Sequence, residues 1–198
     1  MLFSYKMTHD TGFAPNPFHN IMTLANCKPL IRKIKTRDVY IAGFTSKALC
    51  GEKMGEERLV YIMRVTDKLS YAQYYTDVHF KCKIPSKGSL ISKAGDNIYK
   101  PSDTEKIGFI QLDNWNHKYK NINHDLSGEY VLISNNFFYF GSGAIPVERF
   151  KINIPRVQSA HGVKTDNIED LLTYLKENYQ PNVVLNRPHS WIENEPYN

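Results

Sequence analysis

The run Leu59-Val60-Tyr61-Ile62-Met63-Arg64-Val65 is apolar at odd and even positions alike and carries a single charge near its end. A strand with no polar side has to be covered on both faces, which places it in the middle of a sheet. The rest of the chain must then supply its neighbours. Leu2 to Met7 and Val39 to Phe44 have strand patterns. Tyr130 to Ser134 and Phe137 to Phe140 read as a strand pair turned by Asn135-Asn136. Helical patterns are few. Pro29 suits the first turn of a short helix through Leu30-Ile31-Arg32-Lys33. Ser70 caps a tyrosine-rich helix, Tyr71 to Tyr75, that ends near His79. Asp166 to Asn178 is the clearest helix, with Asp166 and Glu169 spaced as a capping box and Ile168, Leu171, Leu172 and Leu175 on one face. Residues 47–57 read as an exposed loop, and 81–128 as loops around one or two short strands. Strict alternation of strand and helix is absent, which argues against a doubly wound parallel sheet. The expected class is α+β: a small, twisted, barrel-like, mostly antiparallel sheet decorated by three or so helices.

The 198 residues suit one domain, with a core over 1–164, a C-terminal helix at about 166–178 and a Pro- and Asn-rich tail, 180–198, packed over the body. At 41% hydrophobic residues the chain can bury a core. Cys27, Cys50 and Cys82 are odd in number and form no Cys-x-x-Cys pair, which speaks against a disulfide framework. The N-terminal residues meet charge too early for a signal peptide, and no window holds the roughly 18 apolar residues of a membrane span. A cytoplasmic protein without a membrane partner is expected. A net charge of +5 with dispersed bases is compatible with a phosphate-bearing partner.

Four constellations could carry chemistry. The loop His9-Asp10-Thr11-Gly12-Phe13-Ala14-Pro15-Asn16-Pro17-Phe18 follows the first strand, and its length there calls for a packed or functional role. Asn16, framed by prolines, could read a base edge through its amide, and His9 with Asp10 could do acid–base work. Lys28 and Arg32, four residues apart on the short helix, could hold phosphate together, while Cys27 at the helix start is a candidate nucleophile without a visible base. Asp96, Asn97 and Tyr99, near Lys93 and Lys100, could offer hydrogen bonds and a stacking face. His161 stands before the last helix. His117 and His124 sit in a polar stretch, but their spacing fits no zinc pattern, and no metal or other cofactor is assigned. Phosphate-loop, dinucleotide and hydrolase-elbow motifs are missing.

In this order, these segments resemble the nucleotide-modification-associated domain 2 family, also described as DNA base hypermodification proteins, over about Leu2 to Lys164. The resemblance is carried by Thr8-His9-Asp10-Thr11-Gly12-Phe13-Ala14-Pro15-Asn16-Pro17-Phe18, by Thr23 to Arg32, by Val39 to Gly43 and by Leu59 to Thr66. Gly95-Asp96-Asn97-Ile98-Tyr99 and Tyr139-Phe140-Gly141 complete it. It implies involvement with nucleotide or DNA modification in bacteria and their viruses. Two departures stand out: Arg37-Asp38 replaces a Gly-Asp turn, and the region Trp115 to Asp125 looks reduced, which leaves its histidines without an expected role. At the level of fold, the short helix and the strands around it are also similar to the small barrels of the PUA and EVE type.

The leading expectation is a protein that binds a nucleotide or a modified DNA base, with a nucleotide or DNA as partner and room for a protein partner or a second copy. The alternative is a transferase-like enzyme that modifies the nucleotide or base with the His9–Asn16 loop and Cys27. A third reading is a phage-type factor that docks on another protein. The binding and enzymatic readings separate on whether reactive side chains approach within roughly 3.5 Å of each other around one cleft.

Overall fold

The computed structural model describes residues 1–191. Along the chain come β1 (Leu2–Lys6), β2 (Met22–Leu24), α1 (Pro29–Ile34), β3 (Tyr40–Phe44), α2 (Lys47–Cys50) and β4 (Arg58–Arg64). Next are β5 (Asp67–Ser70), α3 (Tyr71–Thr76), α4 (Leu90–Lys93), β6 (Tyr99–Pro101), β7 (Phe109–Gln111) and α5 (Ile122–Leu126). The order ends with β8 (Tyr130–Ser134), β9 (Phe137–Tyr139), β10 (Ile145–Pro146), β11 (Val163–Thr165) and α6 (Glu169–Asn178).

The all-apolar run is central, as its pattern requires. In the largest sheet, ordered β10-β4-β3-β1-β11, β4 lies against β3 on one side and against both β9 and β10 on the other. Leu59 to Met63 are buried throughout. Among the described strands β1 and β3 pair in parallel and the other strand pairings are antiparallel, with one isolated parallel bridge from Tyr139 to Val184. A second sheet has the order β2-β8-β5, and β6 pairs with β7 in a third.

These sheets stack as layers. On one face of the main sheet, Ala42, Phe44, Ile62 and Phe138 pack against Leu171 and Leu175 of α6. On the opposite face, Ile41, Tyr61, Met63 and Tyr139 meet Leu24 and Leu132 of the second sheet and Ile31 of α1. The far side of the second sheet, Val131 and Ile133, packs with Tyr71 and Tyr74 of α3 and with Tyr99. The alternation along each strand thus feeds two different cores. A layered arrangement replaces the expected barrel: the sheets do not close, and the likeness to the PUA and EVE barrels finds no support.

The expected hairpin is also absent. β8 pairs with β2 and β5, whereas β9 pairs with β4 in the other sheet. Asn135-Asn136 is a corner that hands the chain between layers, closed by bonds between Ser134 Oγ and the Asn136 backbone at 2.8 and 3.1 Å. An Asn-Asn turn suits either outcome, and the open edge of β4 decided it. α3 begins with the expected Ser70 cap, completed into a capping box by Gln73. α6 does not begin as expected. Asp166 pairs with Lys164 at 2.6 Å, and Asn167 Oδ1 accepts from Glu169 N instead. Residues 47–57 contain α2, and β2 is a further strand, just after the loop that follows β1. The tail from 180 to 191 runs along the body, with Leu185 N donating to Tyr139 O and Ser142 N to Arg187 O; residues 192–198 of the expected tail lie outside the described residues. Among the described residues no helix is long and apolar enough to cross a membrane.

Candidate functional site

β2 runs into α1 through a corner in which Cys27 (φ 56°) and Lys28 (φ 40°) both take the left-handed conformation. Such residues cost about 1–2 kcal/mol each, so the corner persists only because its surroundings hold it. Asp125 Oδ1 accepts from Cys27 N at 2.7 Å, and Arg32 Nε donates to Cys27 O at 2.7 Å. The Cys27 side chain turns into a cavity of ≈ 360 Å³ between this corner, the loop after β1 and the segment Trp115-Asn116-His117.

There Cys27 Sγ lies 3.4 Å from His117 Nε2, and His117 Nδ1 lies 2.7 Å from Asp125 Oδ2. Each member is fixed from outside the trio. Asn114 Oδ1 accepts from the Asn116 and His117 backbone N–H groups, Gln111 Nε2 donates to His117 O at 2.9 Å, and the His117 ring meets the edge of Phe13 at 4.7 Å. The Asp125 side chain is 0% exposed and also accepts from Tyr99 Oη at 2.7 Å. Burial works against charge on His117, but the hydrogen bonds and charges of Asp125 and Cys27 outweigh it and push its pKa up to about 9. Burial likewise opposes ionisation of Asp125, and the bond from His117 reverses that, holding the carboxyl below its ordinary range. At neutral pH the imidazole is therefore a cation between a carboxylate and a sulfur. Burial together with the charge of Asp125 pushes the Tyr99 phenol well up, so it serves as a donor.

The cavity walls combine aromatic and polar groups. Tyr5 forms part of the wall, its hydroxyl 2.8 Å from that of Tyr61, and the Lys28 ammonium lies 4.5 Å above the Tyr5 ring. Burial lowers the Lys28 pKa, and Cys27 partly offsets this. Trp115, 54% exposed, stands at the rim, and Asn116 lines the wall with its buried Nδ2 lacking a hydrogen-bond partner among the described residues.

The residues singled out in the sequence divide sharply. Cys27, Lys28 and His9 line the cavity, and Tyr99 reaches it through Asp125. Asp10 does not: its carboxylate is buried, accepts from Tyr139 Oη at 2.6 Å and lies 3.1 Å from His189 Nδ1 of the tail. Arg32 is not a surface partner of Lys28. It is 0% exposed and donates to Cys27 O, Tyr71 Oη, Tyr130 O and Asp125 O at 2.6–2.7 Å. Asn16 binds the buried Lys83 ammonium at 2.6 Å and donates to Ala94 O. Asp96 accepts from Thr23 and Tyr74 hydroxyls, and Asn97 Nδ2 donates to Tyr74 O and Phe80 O. Burial raises the pKa of Asp96 and lowers that of Lys83 to about 8, with each charge opposing the other's shift. Both knit the protein interior together. His161 is exposed on the loop before β11.

His117 and Asp125, the two groups that make Cys27 more than a lone thiol, were not assigned roles from sequence, because His117 reads as part of a polar loop and Asp125 has no motif at all. The one local signal is the Asn114–His117 turn, in which an asparagine caps the backbone of a histidine three residues on.

The family model described as nucleotide modification associated domain 2 matches residues 1–195. No curated protein and no solved structure matches the chain.

Proposed function

The chain belongs to the nucleotide modification associated domain 2 family, and from that premise we propose that it is a cysteine-dependent enzyme of nucleotide modification, with Cys27 as nucleophile, His117 as proton carrier and Asp125 as its orienting carboxylate. The observation that carries this reading is the continuous line Sγ–Nε2 at 3.4 Å and Nδ1–Oδ2 at 2.7 Å, opening on a cavity. Nucleophile, base and orienting group in one hydrogen-bonded row is the general arrangement for covalent catalysis. An imidazolium beside a sulfur is the setting in which a thiol attacks as thiolate.

The cavity suits a nucleotide. Its ≈ 360 Å³ falls within the ~300–1,000 Å³ of small-ligand sites. Trp115, exposed at the rim, offers a π-face, and Lys28 offers a cation for phosphate or for an anionic base edge. In the reaction, Sγ bonds to an electrophilic carbon of the base or of its substituent. His117 Nε2 delivers a proton to the leaving or developing anionic atom and takes one back when the covalent intermediate resolves.

Alkylation of the full chain by iodoacetamide, followed by peptide mass spectrometry with and without millimolar 2′-deoxynucleoside 5′-monophosphates, tests both halves of the proposal. Cys27 should react faster than Cys50 and Cys82, which are exposed but have no such histidine. His117→Ala should slow Cys27 alone, by about 10-fold or more, and at least one nucleotide should protect it. Cys27 reacting no faster than the other two, and indifferent to His117, would remove the nucleophile. Reactivity without protection by any nucleotide would remove the nucleotide from this cavity.

A further inference from the structure

The Asp125 carboxylate meets three donors from three parts of the chain. Oδ1 accepts from Cys27 N at 2.7 Å, and Oδ2 accepts from both His117 Nδ1 and Tyr99 Oη, each at 2.7 Å. Tyr99 comes from β6 and stands directly opposite Gln111 of β7 in the two-stranded ribbon. Opposed residues of an antiparallel pair share a face. Here that face is turned inward: Tyr99 is 1% exposed, whereas Lys100 and Ile110, the next opposed pair, face solvent. From the inner face Tyr99 reaches the carboxylate that holds the His117 ring, and Gln111 Nε2 donates to His117 O at 2.9 Å. The ribbon thus grips the row of Cys27, His117 and Asp125 at two points.

The two grips differ in kind. Gln111 holds a main-chain carbonyl and leaves the charge of the ring alone. The Tyr99 hydroxyl shares Oδ2 with the imidazole N–H, so it draws on negative charge that would otherwise face His117 alone. Burial and the charge of Asp125 keep the phenol protonated, so it can only donate there. Its bond is strongest once His117 has given up its proton and no cation faces Oδ2, and the hydroxyl therefore favours that state. We infer that Tyr99 is a positioning residue for the reaction proposed above: through Asp125 it limits how tightly His117 holds its proton, and so makes His117 a better acid toward the substrate. The inference rests on the reading of His117 as proton carrier. A proton carrier works best when its affinity for the proton lies near the working pH, and an imidazolium paired with an unshared buried carboxylate holds its proton too firmly for that. The other ionisable groups around the ring are Cys27, at its Nε2, with Tyr5, His9 and Lys28 in the walls of the same cavity and Arg32 on the Asp125 carbonyl. All of them are common to wild type and Tyr99→Phe, so a difference between the two belongs to the hydroxyl.

The test is titration of the His117 Cε1–H resonance in the full chain with 13C-labelled histidine, assigned among the seven histidines by its loss in His117→Ala. Wild type should show an inflection at about pH 9. Tyr99→Phe keeps the ring against Tyr71, with 5.3 Å between centroids, and removes only the hydroxyl. Its inflection should move up by about 0.5 pH unit or more. Tyr99→Met, which also lacks the hydroxyl, should move it the same way and serves where the phenylalanine variant folds poorly. Gln111→Leu is the contrast: it removes the opposed hydrogen bond of the same ribbon, so it should lower stability in urea and leave the inflection in place. An inflection that stays put without the hydroxyl, or that Gln111→Leu moves as far, overturns the inference and makes Tyr99 a packing residue of the ribbon. Iodoacetamide alkylation of the same samples reads Cys27 separately. Cys27 reacting no faster than Cys50 and Cys82 removes the nucleophile, while the His117 titration still decides the role of Tyr99.

Discussion

Arg32→Ala separates a structural arginine from a ligand-binding one. The guanidinium of Arg32 is wholly buried and donates four hydrogen bonds of 2.6–2.7 Å. Among the described residues no carboxylate pairs with it directly; its partners are three carbonyl oxygens and the Tyr71 hydroxyl, whose single proton lies between Ala25 O and Asp125 O. Removing the side chain leaves Tyr71 and Asp125 O with a remaining partner, but strips Cys27 O and Tyr130 O. Each part-buried acceptor left without its donor costs roughly 1–3 kcal/mol, and recovery of the guanidinium's own desolvation offsets part of the sum, so a net loss of about 2–4 kcal/mol is expected. For a chain of this length that corresponds to a fall in Tm of roughly 10 °C. The backbone already allows for this side chain, since a Cβ on Gly128 would lie 2.5 Å from the guanidinium carbon. The assay is urea unfolding of wild type, Arg32→Ala and Arg32→Met, the last restoring volume without the donors. Both variants should be destabilised, alanine more than methionine. An alanine variant within about 1 kcal/mol of wild type would refute the reasoning, as would unchanged stability with lost nucleotide protection of Cys27, the pattern of an exposed phosphate ligand.

Three further outcomes follow. The folded pKa of His117, about 9, lies above its ordinary 6.5, so the stability it contributes is whole below pH 6.5 and lost as pH rises through 9. Asp125, depressed below 3.8, contributes above that value and loses its share as pH falls through its lowered pKa. The stability gap between wild type and His117→Gln, from urea melts at a series of pH values, should therefore narrow from pH 6.5 to 9; a flat gap counts against the ion pair. Asp96→Ala should cost about 2–4 kcal/mol in the same melts, because it strands the Thr23 and Tyr74 hydroxyls and the Lys83 charge, yet leave the Cys27 alkylation rate unchanged; slower alkylation would place Asp96 in the site. Asp166→Ala should change stability by less than about 0.5 kcal/mol, since an exposed pair with Lys164 replaces the capping box, and a loss of a full cap's ~1 kcal/mol would restore the box.

What the sequence determines by itself is local. The apolar run at Leu59–Val65 demanded a central strand, Pro29 and Ser70 marked helix starts, and Ile168, Leu171 and Leu175 marked a helix face; all three appear because periodicity and turn chemistry act over a few residues. The unusual loop after β1 and the helix start at Cys27 and Lys28 were also legible as places of interest, and both border the cavity. The tertiary structure decided the rest. Whether Asn135-Asn136 closes a hairpin or changes layers depends on the free edge of β4, contributed by a strand some seventy residues earlier. Whether Arg32 meets solvent or holds Cys27 to Asp125 depends on α5 arriving beside α1. Cys27 joins a hydrogen-bonded row only because His117 and Asp125, about ninety and a hundred residues away along the chain, fold onto it. Periodicity carries no trace of such a meeting, because each of the three residues is ordinary in its own neighbourhood and distinctive only in the company of the others.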